Sequence, residues 1–226
     1  MNMETKEGIY LIDKQVGWTS FDVVAKMRGI TGIRSIGHAG TLDPFATGLL
    51  IVLVGKGFTK RQDEFMKQDK EYEATLMLGF SSNTGDPEGI ISEEPSSKAQ
   101  GTNKIQIPDS KDVLKVLGGF VGEIEQKPPV YSAIKINGQR AYKKARKGEE
   151  FEIPKRKVNI YALELINYKY PLVKFRVKCS SGTYIRTLGM DIAERLGTKG
   201  YLTELRRTKI GGYDIKDAKT IADLSS

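Results

Sequence analysis

Six consecutive apolar residues, Leu49–Val54, constrain the fold of this chain more than any other segment. Bounded by Gly48 and Gly55 and rich in aliphatic side chains, the run reads as a buried strand. A strand of that kind needs a sizeable core around it, and 226 residues can supply one without disulfides or a structural metal. The run is the longest of its kind and far too short to span a bilayer. The length allows one large domain or two small ones, and no shift in composition marks a boundary.

Other segments fill in the elements. Ile9–Asp13 reads as a short strand. Thr19 and Asp22 form a T-x-x-D capping box ahead of Phe21, Val24 and Met27, which predicts a helix to about Ile30. Residues 34–48 are glycine-punctuated and aperiodic, and they read as loop. Glu71–Leu78 and Val173–Cys179 alternate as half-buried strands. Residues 81–101 read as turns and an exposed loop. Asp109–Leu117 reads as a helix stopped by Gly118-Gly119, and Ile185, Leu188, Ile192 and Leu196 follow helical spacing up to Gly197. Asn137-Gly138 marks a turn, Arg140–Lys147 is helix-like, and Thr220-x-x-Asp223 opens a last short helix. Strands with fewer helices spread among them predict an α+β fold around a mixed or antiparallel sheet.

Counting reactive residues excludes several chemistries. Cys179 is the sole cysteine and His38 the sole histidine, so neither an internal disulfide nor a Cys/His zinc site is expected. A Ser–His–Asp triad would depend on His38 alone. The polar, acidic start is no signal peptide, and cytosol is the expected compartment. Charge is uneven: residues 1–110 carry 12 Lys/Arg against 15 Asp/Glu, net −3, while residues 111–226 carry 24 against 13, net +11. A basic half of that size favours a polyanionic partner, nucleic acid first. Residues 135–157 concentrate it, with nine Lys/Arg against three Glu and Tyr131 and Tyr142 close by. Such a run is usually a solvated face, yet with aromatics it also fits phosphate contacts plus stacking on RNA.

The segment Gly37-His38-Ala39-Gly40-Thr41-Leu42-Asp43-Pro44-Phe45-Ala46-Thr47-Gly48 is the most unusual in the chain. Its glycines permit tight turns or close approach, and Asp43 is held before a proline. Taken alone, Asp-Pro is a common turn dipeptide and Asp43 an exposed turn residue. The spacing is not that of a phosphate loop. Together with GIYLIDKQVGWTSFDVV, KEYEATLMLGFSSNTGDPEG, QKPPVYSAIKINGQRAYKKARKG, CSSGTYIRTLGMDIAERLG and LTELRRTKIGGY, however, it closely resembles the bacterial tRNA pseudouridine synthases of the TruB family. The resemblance runs in family order from about residue 8 to 213. GHAGTLDPFATG is its most specific part.

That resemblance implies an isomerase acting on uridine 55 in the T-loop of tRNA, with no metal or cofactor. It implies Asp43 as the catalytic carboxylate, Tyr72 as the residue that stacks on the target base and a candidate base in the isomerisation, and Arg186 as the partner of Asp43. His38 takes the space of the extruded uridine, and Leu205 lines the base. Lys14, Tyr131, Lys135, Arg140, Lys143, Lys144, Arg146 and Lys147 complete the expected substrate contacts, most of them in an RNA-gripping insertion at about 126–157. Bland readings stand beside these: Tyr72 as core of an alternating strand, Leu205 as a helical core leucine, Arg186 as a solvated arginine near a helix start. Two departures from the family pattern are Lys14-Gln15 in place of Lys-Pro and the lack of room for a C-terminal PUA-like RNA-binding domain after the core. The expectation is a single catalytic domain over 1–226 and a monomer, with no protein partner implied. A non-catalytic RNA-binding or RNA-folding protein on the same scaffold is the alternative, as is a synthase for another RNA. Retention of Asp43, Tyr72 and Arg186 together argues against a pure binder.

Overall fold

The computed structural model describes residues 6–93, 107–129, 135–136, 139–140 and 151–225. It divides into two compact units, Met1–Glu73 with Glu204–Ser226, and Ala74–Thr203. The strands β4 (Lys70–Leu78) and β12 (Gly200–Ile210) each contribute residues to both.

In the first unit the apolar run belongs to β3 (Thr47–Val54), with antiparallel neighbours β1 (Gly8–Lys14) and β2 (Ile36–Ala39). The end of β12 joins it in parallel through Arg206↔Thr47 and Arg207↔Gly48. Leu50, Val52 and Val54 pack with Ile12 and Ile36 against Val23, Val24 and Met27 of α1 (Ser20–Thr31). Leu49, Ile51 and Leu53 face the other way, packing with Ala39, Phe65 and Ile210. Both faces are thus covered, which is why the run carries no polar residue. Two short helices, α2 (Lys56–Thr59) and α3 (Gln62–Met66), follow β3.

The capping box forms as expected. Asp22 N–H donates to Thr19 Oγ1 at 3.1 Å, Thr19 N–H donates to Asp22 Oδ2 at 2.8 Å, and α1 ends at Gly32 with φ +69°. Near the C-terminus β13 (Tyr213–Asp214) and a 3-10 turn (Ile215–Asp217) follow β12. The outer edge of β1 is then closed by Lys219, whose carbonyl accepts from Asp13 N–H and whose N–H donates to Leu11 O.

The second unit holds a sheet in the order β12-β4-β11-β10-β7, in which β10 (Arg156–Lys169) runs antiparallel to both β11 (Leu172–Cys179) and β7 (Gly122–Gln126). The inward side chains of β11, Val173, Phe175, Val177 and Cys179, are buried as their alternation predicts. The helices α4 (Ser110–Gly118) and α5 (Ile185–Arg195) belong to this unit. At Gly189 a Cβ would lie 2.8 Å from Leu202 Cδ2, so α5 sits on the sheet only because that residue has no side chain. Two hairpins complete the unit, β5 (Phe80–Ser82) with β6 (Ile91–Glu93), and β8 (Lys135–Ile136) with β9 (Gln139–Arg140). The chain closes, in the first unit, with α6 (Ile221–Ser225), which Thr220 and Asp223 cap as α1 is capped.

The α+β class and the mixed sheet are as expected. Several strands are not: β5 and β6 fall in the 81–101 segment expected as turns and loop, and β9 holds Arg140, expected to start a helix-like stretch. β2 lies inside the segment read as loop, because two of its four residues are Gly37 and His38. β7 and β10 carry Glu or Lys on the open face and were given no element. At Leu205 the alternative of a helical core leucine gives way to strand β12. Its alternation is masked by Arg207, which points inward and is 1% exposed. The turn at 137–138, Tyr131, and residues 141–150 with Lys143, Lys144, Arg146 and Lys147 lie outside the described residues.

Candidate functional site

Asp43 sits half-buried in the loop that joins β2 to β3. Ala46 N–H donates to Asp43 O at 3.1 Å, closing a β-turn with Pro44 at the position where its fixed φ suits a turn. The residues on either side of Asp43 are pinned. The Ser20 hydroxyl, in a residue 2% exposed, accepts from Leu42 N–H at 2.9 Å and lies 3.2 Å from Leu42 O. Pro44 O accepts from Gly17 N–H at 2.9 Å and from Lys14 Nζ at 3.4 Å. The aspartate backbone is therefore held from both directions, and the start of α1 exists in part to hold it.

Lys14, expected among the substrate contacts, lies inside the first unit. It is 1% exposed, and its ammonium also donates to Trp18 O at 2.6 Å and Gln15 O at 3.0 Å. Three backbone carbonyls match the three donors of an ammonium. Through these contacts Lys14 holds the loop at Pro44. Gln15 contributes through its carbonyl, which any residue can provide.

Other expected residues of the first unit fall on its strands. His38 lies on β2 opposite Val52, half-buried, with its carbonyl accepting from Gln62 Nε2 at 2.8 Å. Tyr72 on β4 is 8% exposed and Leu205 on β12 is 7% exposed. Both are core by burial, as a residue at the wall of a base-binding site also is. At the end of β1, Asp13 receives a two-pronged Arg206, with Nη1–Oδ1 at 3.1 Å and Nη2–Oδ2 at 2.6 Å.

Arg186 belongs to the second unit, as the second residue of α5, and it is 5% exposed. The solvated reading of this arginine fails. Its Nη1 donates to Asp86 Oδ2 at 2.7 Å and to Thr84 O at 2.9 Å. Asp86, 2% exposed, also accepts at Oδ1 from Thr84 Oγ1 at 2.6 Å and Glu88 N–H at 3.0 Å. A buried guanidinium is tolerable only with such partners. Sequence reasoning quoted SSNTGDPEG but gave Asp86 no role. It also passed over Ser20 and Arg207, which only their burial identifies. On the same helix, desolvation, followed by the nearby Glu194, pushes the Asp191 carboxyl up to about 6.

In the first unit the structure offers a carboxylate on a braced turn, with Lys14 and Arg207 bonded to the backbone of its loop. Among the described residues no group of three or more His, Cys, Asp or Glu is arranged to hold a metal ion. No described helix is long and apolar enough to cross a membrane.

Comparison with known proteins identifies the family of the chain. Residues 28–185 match the TruB family pseudouridylate synthase N-terminal domain, and residues 186–226 match the tRNA pseudouridylate synthase B C-terminal domain. The chain is 45% identical over 222 residues to tRNA pseudouridine synthase B of Desulfotalea psychrophila, covering 96% of this chain and 87% of that protein. It is 42% identical over 212 residues to tRNA pseudouridine synthase B of Chlamydia abortus, covering 94% and 86%. Among solved structures, a Cbf5-Nop10-Gar1 complex aligns with TM-score 0.75 and 28% identity, over 99% of this chain and 55% of that one. An H/ACA RNP bound to a substrate RNA containing 2'-deoxyuridine aligns with TM-score 0.71 and 26% identity, over 99% and 54%. This chain thus spans about half the length of those structural relatives. With the two family profiles matched end to end over residues 28–226, the chain belongs to the TruB family of pseudouridylate synthases.

Proposed function

We propose that this chain converts uridine 55 in the T-loop of tRNA to pseudouridine. The reaction breaks the N1–C1′ bond, turns the uracil and joins C5 to C1′, while the proton lost from C5 is balanced by one gained at N1. No second substrate exchanges atoms or electrons, so the chemistry itself calls for no redox cofactor.

The observation that carries the reading is Asp43 on a braced turn, with Leu42 held by Ser20 and Pro44 held by Lys14 and Gly17. A carboxylate that must meet ribose or base at one geometry benefits from a backbone already fixed there. In this reading Asp43 is the reacting carboxylate and Tyr72 stacks on the flipped base. Arg186 belongs to the same functional set in this reading. Extruding a base from a folded loop costs a few kcal/mol, and the planar ring of His38 offsets part of the lost stacking. Lys135, Arg140 and the basic residues after them supply phosphate contacts along the T-arm. The chain acts in the cytosol as a monomer, without a protein partner.

The test is to incubate the protein with an unmodified tRNA transcript, without cofactor, and to map pseudouridine. The reading expects one new pseudouridine, in the T-loop. No pseudouridine, or one elsewhere only, would refute it.

A further inference from the structure

Arg207 is among the largest fully buried side chains of the described residues, and the proposed chemistry gives it no part. Its guanidinium reaches both stems of the Asp43 loop. Nη2 donates to Gly40 O and Nε donates to Leu49 O, each at 2.8 Å. We propose that Arg207 is a positioning residue, whose fork clamps the loop shut at its base and so fixes where Asp43 stands. The proposal rests on reading Asp43 as the reacting carboxylate.

The two glycines that bound the loop fit this clamp. Gly40 has φ +82°, and a Cβ there would lie 3.3 Å from Arg207 Nη1. Gly48 has φ +101°, and a Cβ there would lie 2.3 Å from Arg207 O, because β3 and β12 pair in parallel at Arg207↔Gly48. One stem therefore rests on the arginine's side chain and the other on both its side chain and its backbone. Ser20, Lys14 and Gly17 hold the residues next to Asp43, whereas Arg207 sets the spacing between the strands the loop leaves and enters. Only a planar, multi-donor side chain serves two carbonyls in different directions. An ammonium on a flexible stem has donors enough, but it does not hold two of them at the fixed spacing and directions of the guanidinium fork. A stem that shifts by about 1 Å carries the carboxylate with it, and misplacement of that size costs on the order of 10²-fold in rate.

Arg207→Lys keeps the charge and loses the fork. The measurements are the single-turnover rate at saturating tRNA, the tRNA dissociation constant, and amide hydrogen exchange of residues 41–47, all per mole of folded protein. The clamp predicts a rate about 10²-fold lower, a dissociation constant within about threefold of the parent, and faster exchange in 41–47. A rate within about threefold of the parent overturns it, as does a loss that appears only in the dissociation constant, or unchanged exchange. Should Arg207→Lys fail to fold, Arg207→Gln decides instead: it removes the fork without straining the loop backbone and must produce the same split between rate and binding. If the parent protein makes no pseudouridine at all, the functional reading falls, and the exchange of 41–47 alone then upholds or overturns the clamp.

Discussion

Asp86→Asn is the substitution whose cost follows most directly from the geometry. Asp86 and Arg186 form an ion pair at 2.7 Å, with side chains only 3% and 6% exposed. Asparagine keeps the shape but not the symmetry of acceptors. If its oxygen stays with Thr84 Oγ1 and Glu88 N–H, its amide donors face the Arg186 guanidinium. If it turns over, the donors face Thr84 and Glu88. Either way a donor opposes a donor, and the buried Arg186 loses the Asp86 carboxylate from among its contacts. Removing one member of a buried pair costs about 3–5 kcal/mol. With a urea m-value of about 3 kcal/mol/M for a chain of this length, the midpoint should fall by about 1–1.7 M. Urea unfolding at pH 7, followed by far-UV circular dichroism, reads this directly. Turnover should fall as well, since Arg186 would no longer be held. A midpoint within about 0.3 M of the parent, an apparent cost near 1 kcal/mol, would show that the pair contributes little and that Arg186 is fixed by other means.

Ser20→Ala leaves Leu42 N–H without its acceptor, so thermal melting should report a loss of about 1–3 kcal/mol and turnover should drop with it. Asp191 has its folded-state carboxyl raised from 3.8 to about 6, so the folded chain holds an extra proton in that window and loses stability as pH rises through it. Asp191→Asn should therefore raise the midpoint of urea unfolding at pH 7 and flatten its dependence between pH 4 and 6; an unchanged pH profile would contradict the assignment. Neutralising Lys143, Lys144, Arg146 and Lys147 together should weaken tRNA binding and reduce the salt slope by up to about 0.7–0.9 per lost phosphate contact. The modified uridine should stay the same. A salt slope equal to the parent's would remove these residues from the interface.

Sequence showed most where one rule governed a segment. The Leu49–Val54 run, the Thr19–Asp22 capping box and the alternation of Val173–Cys179 each follow from local chemistry, and the structure repeats them. Legibility failed where a strand mixes demands. β12 points Arg207 into the core, so its pattern imitates neither a clean strand nor an amphipathic helix. The motif around Asp43 was legible as a motif, but its supports were not. Ser20, Lys14 and Arg207 lie 23 and 29 residues before Asp43 and 164 after it in sequence. Each acts on backbone carbonyls or amides, which leave no mark in residue type at the receiving end. Asp86 is hidden for a similar reason. In a stretch of Ser, Asn, Thr, Gly and Pro an aspartate reads as one more turn residue, and only its 100-residue separation from Arg186, closed by the fold, reveals the pair.

The central claim is that Asp43 does the chemistry and the remainder of its loop only places it. Asp43→Asn keeps the volume of the side chain and removes its charge. The decisive measurement is the single-turnover rate of pseudouridine formation on an unmodified tRNA transcript, parent against highly purified Asp43→Asn, with tRNA affinity determined on the same samples. The account predicts no detectable product from Asp43→Asn and an affinity within several-fold of the parent. Appreciable turnover at full binding would contradict it.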